Sequence, residues 1–205
     1  MTQVAPGLFI GNLPSIGDRS LLERNNIKGI VSLGTGRWGF WDMIRDITRD
    51  YVPKEKHIFV PAVDNGAQNL LVYMETLCNF MDNVFASLPK EDPTGAILVH
   101  CDRGVSRSAA IAIAYLMRKE GHGFDDTFAL VRAQRKINPN ANFREQLRIW
   151  EQIGYTIWEN REAGIPKVPY QVFLHTRAAE LEAKGVIVRA PMEVLLVNMP
   201  VARCK

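Results

Sequence analysis

The segment Ile97-Leu-Val-His-Cys-Asp-Arg-Gly-Val-Ser-Arg-Ser-Ala-Ala110 decides the fold of this chain. The apolar residues 96–99 predict a buried strand, and the alanine-rich residues 108–120 predict a helix. The loop between them turns the chain and directs several backbone N–H groups toward one point. Such a nest at a helix N-terminus binds phosphate-like anions. Because a thiol stands at position 101 and a guanidinium at position 107, the segment predicts a nucleophile that attacks phosphorus.

Cys101 needs an environment that lowers the pKa of its thiol, because a cysteine attacks as its thiolate. At Cys101 a strand ends, loop N–H groups surround the sulfur and a helix begins, and all three favour negative charge. We expect His100 to orient or support the thiolate through a hydrogen bond. Gly104 supplies the backbone angles that a phosphate-wrapping loop requires.

The rest of the loop predicts phosphate binding and covalent turnover. The planar fork of Arg107 suits two phosphoryl oxygens in the ground state and the spreading charge of the transition state. Ser108, at the helix start, is placed to donate its hydroxyl to the sulfur when the thiolate leaves. These roles describe a phosphocysteine that water later hydrolyses. The predicted phosphate-binding residues are Asp102, Arg103, Gly104, Val105, Ser106 and Arg107.

A general acid must protonate the leaving oxygen and then act as a base for water. We predict Asp64 for this role, because it follows a strand, lies in a turn-rich segment and precedes a long helix. Asp92 is close in sequence, but Pro93 and Gly95 after it indicate an ordinary turn that enters the strand at 96–99. Asp102 lies inside the loop, where its side chain is expected to point outward.

Length and composition bound the class of protein. With 205 residues, 47% of them hydrophobic and 23% charged, the chain suits one soluble globular domain with a small appendage. The net charge of +3 and the scattered basic residues exclude a nucleic-acid footprint, and no apolar run is long enough for a membrane span. Three cysteines without framework spacing and no signal-peptide pattern predict a cytoplasmic and/or nuclear location. The sequence leaves the oligomeric state open.

Strands and helices alternate along the chain, which predicts an α/β fold with a central, mostly parallel sheet flanked by helices. The predicted strands are 8–10, 28–33, 57–60 and 96–99, and the predicted helices are 20–26, 69–88, 108–120, 125–135 and 143–158. Beyond residue 160 the alternation of strands and helices ends. We predict a linker over 164–169, a helix over 170–184, and short β-like runs over 186–188 and 194–197. We therefore predict a catalytic domain over 1–158 and a C-terminal extension of unknown role over 159–205.

The motif His100-Cys101, five residues, then Arg107-Ser108 resembles the dual-specificity branch of the cysteine-dependent protein tyrosine phosphatases. The resemblance spans about residues 5–158 and extends to three further segments: 8–12 as the opening strand, 60–64 with Asn69-Leu70 as the acid loop, and Pro139-Asn140 with Phe143 and Gln146-Leu147 as the closing helix.

The resemblance implies a protein tyrosine phosphatase-like fold and a phosphocysteine mechanism without a metal or other cofactor. It also implies phosphorylated protein substrates carrying phosphotyrosine, phosphoserine or phosphothreonine. Arg103 departs from the small residue that many members carry, which adds positive charge beside the pocket. The acid segment lacks the Trp-Pro-Asp of the tyrosine-specific enzymes, so a shallow cleft is expected.

Several residues admit a structural as well as a functional interpretation. Cys78 lies on an apolar helix face and is interpreted as core, with a redox partnership with Cys101 as the alternative. Trp38 and Trp41 fit a substrate-side rim or surface packing. Arg135 fits a solvated helix end or a second phosphate site.

Three alternatives to a protein phosphatase stay open at this point. The first is a phosphatase for phosphoinositides, inositol pyrophosphates or RNA 5′ ends, although the one extra basic residue, Arg103, is offset by Asp102. The second is a phosphoprotein-binding scaffold with weak or no turnover, which usually lacks the nucleophile or the arginine. The third is a rhodanese-like sulfur transferase, which requires no acid such as Asp64.

Overall fold

A five-stranded sheet forms the centre of the computed structural model, which describes residues 1–35, 46, 48, 50–90 and 94–183. Its strands are β1 (Thr2–Ala5), β2 (Leu8–Gly11), β3 (Ile27–Gly34), β4 (His57–Pro61) and β5 (Ala96–His100). The order is β1-β2-β5-β3-β4, with β1 antiparallel to β2 and the other pairs parallel. The predicted α/β class with a mostly parallel sheet is confirmed.

Helices cover both faces of this sheet. They are α1 (Leu13–Gly17), α2 (Arg19–Arg24), α3 (Leu71–Ala86), α4 (Arg107–Glu120), α5 (Phe124–Gln134), α6 (Ala141–Gln152) and α7 (Val168–Ala183), with a 3₁₀ turn at Lys54–Lys56. Side chains of β5 alternate between the two sides. Ile97 and Val99 belong to the larger buried cluster with α3 to α7, whereas Leu98 belongs to the smaller cluster with α1 and α2. Within the described ranges, no helix is long and apolar enough to cross a membrane.

The four parallel strands end at one edge of the sheet. Gly11 and Ser32 both lie in register with His100, and Gly34 lies in register with Pro61. The loops that follow these strands therefore meet at the carboxyl edge, where ligands of open α/β sheets bind. The loop after β5 therefore lies between the loops after β2 and β3, and the loop after β4 lies one strand further along the same edge.

Helix α4 packs directly on the sheet through small side chains. Its residues from Arg107 to Met117 are all buried, and alanines at four of these positions let the backbone approach the strands closely. Gly121 ends the helix in the left-handed conformation, with φ of +70°, as the sequence predicts.

The predicted helix over 143–158 is wrong at its C-terminal end. Helix α6 stops at Gln152, because Gly154 and Tyr155 adopt φ of +61° and +65° and reverse the chain. Ile157 is nevertheless buried, so its helical spacing reflects packing of a loop. Trp158 begins a strand instead.

The segment after α6 is more ordered than the predicted linker. Trp158–Asn160 (β6) pairs antiparallel with Ile165–Pro166 (β7), and α7 follows. Tyr170, Phe173 and Leu174 of α7 are buried in the larger cluster. The described part of the predicted extension thus docks on the domain. The short strand β1 has no counterpart among the predicted elements. Trp38, Trp41, Asp92 and the β-like runs at 186–188 and 194–197 lie outside the described residues.

Candidate active site

The loop between β5 and α4 is held from outside through its carbonyl oxygens. These accept hydrogen bonds as follows: Asp102 from the N–H of Leu13 at 3.2 Å, Gly104 from Nε of Arg135 at 2.9 Å, and Val105 from the N–H of Asn138 at 2.9 Å. In a trans peptide the N–H points opposite to the carbonyl. The N–H groups that follow these three carbonyls therefore turn toward the centre of the loop, which makes an anion-binding nest.

Position 104 requires glycine for two reasons, its backbone conformation and the lack of space for a side chain. Its φ of +66° lies in the left-handed region, and a Cβ there would lie 2.4 Å from the carbonyl oxygen of Gly11. The close approach lets the Gly104 N–H reach Sγ of Cys101 at 3.3 Å.

Cys101 lies at the bottom of this nest, 1% exposed. Burial raises the pKa of its thiol, but the Ser108 hydroxyl and N–H, the Arg107 guanidinium and the Gly104 N–H together outweigh it and lower the pKa below the ordinary value. The Ser108 Oγ lies 3.2 Å from Sγ. The surroundings thus favour the thiolate.

Replacing Ser108 by alanine tests this interaction. Because the hydroxyl lowers the pKa of Cys101, its loss should raise that pKa and move the acidic limb of the kcat/KM profile to higher pH. We also expect kcat to fall roughly tenfold or more, since a hydrogen bond to a charged group is lost. The measurement is a pH series of aryl phosphate hydrolysis, with iodoacetate inactivation of Cys101 as an independent titration. An unchanged acidic limb would refute the assigned role.

The expected hydrogen bond from His100 to the thiolate is wrong. The His100 side chain pairs through Nε2 with the Ser32 hydroxyl, which also contacts Nε2 of His57. Burial lowers the pKa of His100 to about 4, so the imidazole is neutral near pH 7. Consecutive side chains of a strand point to opposite faces, which turns His100 away from Sγ. His100 therefore braces the end of β5 instead of contacting the sulfur.

Arg107 is the buried cation of the site, 4% exposed. Its Nη1 donates to the Ala62 carbonyl at 3.0 Å, and its Nη2 donates to Oδ2 of Asp102 at 2.7 Å. Its Nε has no hydrogen-bond partner among the described groups. An unpaired buried donor is unfavourable, so an incoming anion gains by pairing with it. The Asp102 side chain is 53% exposed, as predicted, and its carboxylate also occupies a donor of Arg107 that suits a phosphoryl oxygen.

Asp64 lies beside the same guanidinium. Its Oδ2 is 3.9 Å from Nε of Arg107, and its Oδ1 accepts hydrogen bonds from Oγ of Ser106 and Nδ2 of Asn140, both at 2.8 Å. Its side chain is 36% exposed. The structure therefore places Asp64 beside Arg107 of the loop that begins with Cys101, and Asp64 is the partly exposed member of the three.

Arg135 is committed to the loop itself. Besides the Gly104 carbonyl, its guanidinium binds Oγ1 of Thr2 at 2.9 Å through Nη1. Burial lowers the pKa of Arg135. Its Nε thus supports the nest, its Nη1 ties the side chain to β1, and a second phosphate there stays a prediction. Arg103 is exposed at the rim of the loop.

Sequence reasoning missed Asn140 as a site residue. The segment Asn138-Pro139-Asn140 leads into α6, and Asn140 caps the helix by accepting the Phe143 N–H through Oδ1 at 3.0 Å. Its own N–H donates to Oγ of Ser106 at 3.2 Å. An asparagine before a helix is a recognisable N-cap signal. Its bond to Asp64 is a tertiary contact without a local signal.

Other side chains of the site region carry structural roles. Cys78 is fully buried in α3, and burial raises the pKa of its thiol to about 12, which agrees with the core interpretation. Across the residues that the structure describes, no group of three or more His, Cys, Asp or Glu side chains is placed to hold a metal ion.

Comparison with known proteins agrees with this geometry. The family sequence model described as the dual specificity phosphatase catalytic domain matches residues 8–153 of this chain. The chain belongs to the dual-specificity phosphatase family. Its relatives include mouse dual specificity protein phosphatase 22, 33% identical over 80% of this chain and 82% of that protein. Mouse dual specificity phosphatase 28 is 35% identical over 73% of this chain and 83% of that protein.

Solved structures of dual-specificity phosphatases share the fold. The crystal structure of human DUSP28 superposes with a TM-score of 0.62 at 30% identity and covers 74% of this chain and 96% of that chain. Human tyrosine phosphatase-like serine/threonine/tyrosine-interacting protein superposes with a TM-score of 0.59 at 28% identity, covering 76% of this chain and 98% of that chain. The predicted fold is confirmed. The dual-specificity phosphatase family uses a phosphocysteine mechanism, so the chain is a cysteine-dependent protein phosphatase.

Proposed function

We propose that Cys101 is the nucleophile with which this phosphatase dephosphorylates phosphotyrosine and phosphoserine or phosphothreonine. One observation carries the assignment: the thiol lies in a nest whose Gly104 N–H and Ser108 hydroxyl contact Sγ, in the same loop as Arg107, whose Nε lacks a hydrogen-bond partner among the described groups. In the first step the Sγ–P bond forms and the P–O ester bond breaks. Asp64 gives its proton to the leaving oxygen, and Arg107 with the loop N–H groups holds the phosphoryl oxygens.

In the second step water replaces sulfur on the phosphorus. Asp64, now a carboxylate, accepts a proton from the water as the new O–P bond forms and the Sγ–P bond breaks. The Ser108 hydroxyl donates to the departing thiolate. Before either step, the phosphate displaces Asp102 from Nη2 of Arg107, where the carboxylate stands in for a phosphoryl oxygen.

Two features favour protein substrates over polyphosphorylated small molecules. Arg103 is the one extra basic residue within the loop, and it directly follows the acidic Asp102 in the chain. Arg135 is engaged with Gly104 and Thr2. A non-catalytic binding protein is the second candidate, because one structural relative is named a phosphatase-like interacting protein. The thiol, guanidinium and carboxylate present here argue for turnover.

A substrate panel tests this function. We expect phosphate release from phosphotyrosine and phosphothreonine peptides with kcat/KM at least about tenfold above that for inositol polyphosphates or triphosphorylated RNA. The measurement is phosphate release at matched substrate concentrations, in parallel with para-nitrophenyl phosphate. Faster release from inositol phosphates or RNA ends would move the protein to the alternative substrate class. Tight binding of phosphopeptide without release would indicate the binding protein.

A further inference from the structure

The acid loop, residues 62–70 between β4 and α3, is fastened to α6 by buried amides. Gln146 accepts the N–H groups of Leu70 at 2.7 Å and Leu71 at 2.9 Å through Oε1, and its Nε2 donates to the Gln68 carbonyl at 2.8 Å. Asn142 donates through Nδ2 to the same carbonyl at 2.8 Å. These bonds fix the backbone that follows Asp64, so the position of Asp64 depends on α6.

Helix α7 adds two polar contacts to this arrangement. The Tyr170 hydroxyl accepts a hydrogen bond from Nδ2 of Asn69 at 2.9 Å, and Nη2 of Arg177 donates to Oδ1 of Asn142 at 2.6 Å. Tyr170 is 0% exposed and Asn69 is 8% exposed, so water does not replace this contact. Both residues that α7 contacts, Asn69 and Asn142, thus have side-chain amides that also bind the acid loop or the helix turn that follows it.

The contact from Tyr170 orients Asn69 at the end of the acid loop. With its amide nitrogen bound to Tyr170, Asn69 presents Oδ1 to the Val72 N–H at 3.3 Å, in the first turn of α3. Burial raises the pKa of Tyr170 to about 12, so the hydroxyl stays neutral at physiological pH. The contact ties the carboxyl end of the acid loop to α7.

The contact from Arg177 orients Asn142 in the same way. Its Oδ1 accepts from both Arg177 and Gln146, the latter at 2.8 Å, which leaves Nδ2 directed at the acid loop. There it donates to the Gln68 carbonyl at 2.8 Å and the Asn65 carbonyl at 3.3 Å. Asn65 is the residue next to Asp64, so a rotated Asn142 amide would remove one of the two donors to its carbonyl, the other being Nδ2 of Asn140 at 3.3 Å.

We propose that α7 is a positioning element for the general acid: Tyr170 and Arg177 act through Asn69 and Asn142 to hold Asp64 within reach of the substrate. The proposal rests on the proposed role of Asp64. Helix α7 lies beyond residues 8–153, which match the shared catalytic domain, so this chain recruits its C-terminal region to the acid loop. The predicted extension thereby acquires a role in catalysis without touching the reacting atoms.

Tyr170→Phe and Arg177→Met test the proposal through the leaving group. Tyr170→Phe removes the hydrogen bond with Asn69, and Arg177→Met removes the bond to Asn142 together with the ion pairs to Glu145 and Glu180. Both changes keep most of the packing volume. A misplaced acid slows hydrolysis of phenyl phosphate, whose phenolate is a poor leaving group. It slows hydrolysis of para-nitrophenyl phosphate less, because nitrophenolate leaves without much protonation. We expect the ratio of kcat/KM for para-nitrophenyl over phenyl phosphate to rise about three- to tenfold in each variant. Arg177→Lys keeps one donor and should restore part of the wild-type ratio.

Controls on the same helix separate positioning from stability. Leu174→Ala removes buried packing without a polar contact to the acid loop, so it should lower the thermal unfolding midpoint and leave the ratio unchanged. Glu180→Gln removes only the ion pair with Arg177 at 2.8 Å and should leave both unchanged. Equal losses on both substrates, or a ratio equal to wild type, in both Tyr170→Phe and Arg177→Met would overturn the proposal.

A double-mutant cycle with Asp64→Asn distinguishes this proposal from the function on which it rests. If α7 acts through the acid, Tyr170→Phe should change the ratio in the wild-type background and leave it unchanged in the Asp64→Asn background. An equal change in both backgrounds would overturn the positioning role. A ratio that Asp64→Asn itself does not alter would instead overturn the proposed role of Asp64.

Discussion

Replacing Cys101 by serine should abolish turnover, with kcat/KM for para-nitrophenyl phosphate falling on the order of 10⁴-fold or more. The nest lowers the pKa of the thiol and so supplies a thiolate, whereas a serine hydroxyl stays protonated in the same place. A serine oxygen accepts the N–H of Gly104, so the loop should keep its shape. Steady-state hydrolysis measures the loss, and binding of inorganic phosphate to the variant shows that the anion site persists.

Cys78→Ser is the matched control for this variant. Cys78 is buried in α3, where its thiol contributes to packing, so the change should lower stability and leave the activity of the folded enzyme within about twofold. Appreciable phosphatase activity in Cys101→Ser, or its loss in folded Cys78→Ser alone, would contradict the assignment of the nucleophile.

Asp64→Asn should lower kcat for phenyl phosphate by about 10²- to 10³-fold, and much less for para-nitrophenyl phosphate. An asparagine Oδ1 still accepts the hydrogen bonds that Ser106 and Asn140 donate to Asp64, so the acid loop should stay in place. The loss has this size because the variant has no proton to give to the leaving phenolate. Steady-state hydrolysis of both substrates at one pH measures the effect.

Asp126→Asn, a change at an exposed carboxylate of α5, serves as the control and should leave both substrates unaffected. A uniform loss on phenyl and para-nitrophenyl phosphate in Asp64→Asn would show that Asp64 holds the loop without transferring a proton. The acid would then have to be another carboxylate.

The strand, loop and helix around Cys101 were predictable because local rules determine them. An apolar run predicts β5, alanines predict α4, and Gly121 predicts its end. Prediction failed where tertiary packing produced a helix-like pattern. Ile157 is buried at a helical spacing from Ile153, yet Gly154 had already ended the helix. Periodicity reports burial, and a loop that packs on the core imitates a helix.

The candidate site divides in the same way. Cys101, Arg107 and Ser108 follow from spacing within one loop, and Asp64 follows from its place after a strand. The partner of Asp64 across 76 positions, Asn140, is a pairing that sequence patterns do not encode.

His100 was misassigned for a local reason. Its neighbour in sequence is Cys101, but alternation along β5 sends the two side chains to different surroundings. The polar contacts of α7 with Asn69 and Asn142 were equally hidden, because they join residues far apart in the chain.

The most direct test of the account is to trap the covalent intermediate. Asp64→Asn enzyme would be mixed with para-nitrophenyl phosphate, whose leaving group needs little protonation, quenched in acid within the first turnover and digested for mass spectrometry. We predict one added phosphoryl group on the peptide that contains Cys101, and none when Cys101 is also replaced by serine. Phosphate released in a burst without any phosphorylated Cys101, or a phosphoryl group on another residue, would contradict the mechanism.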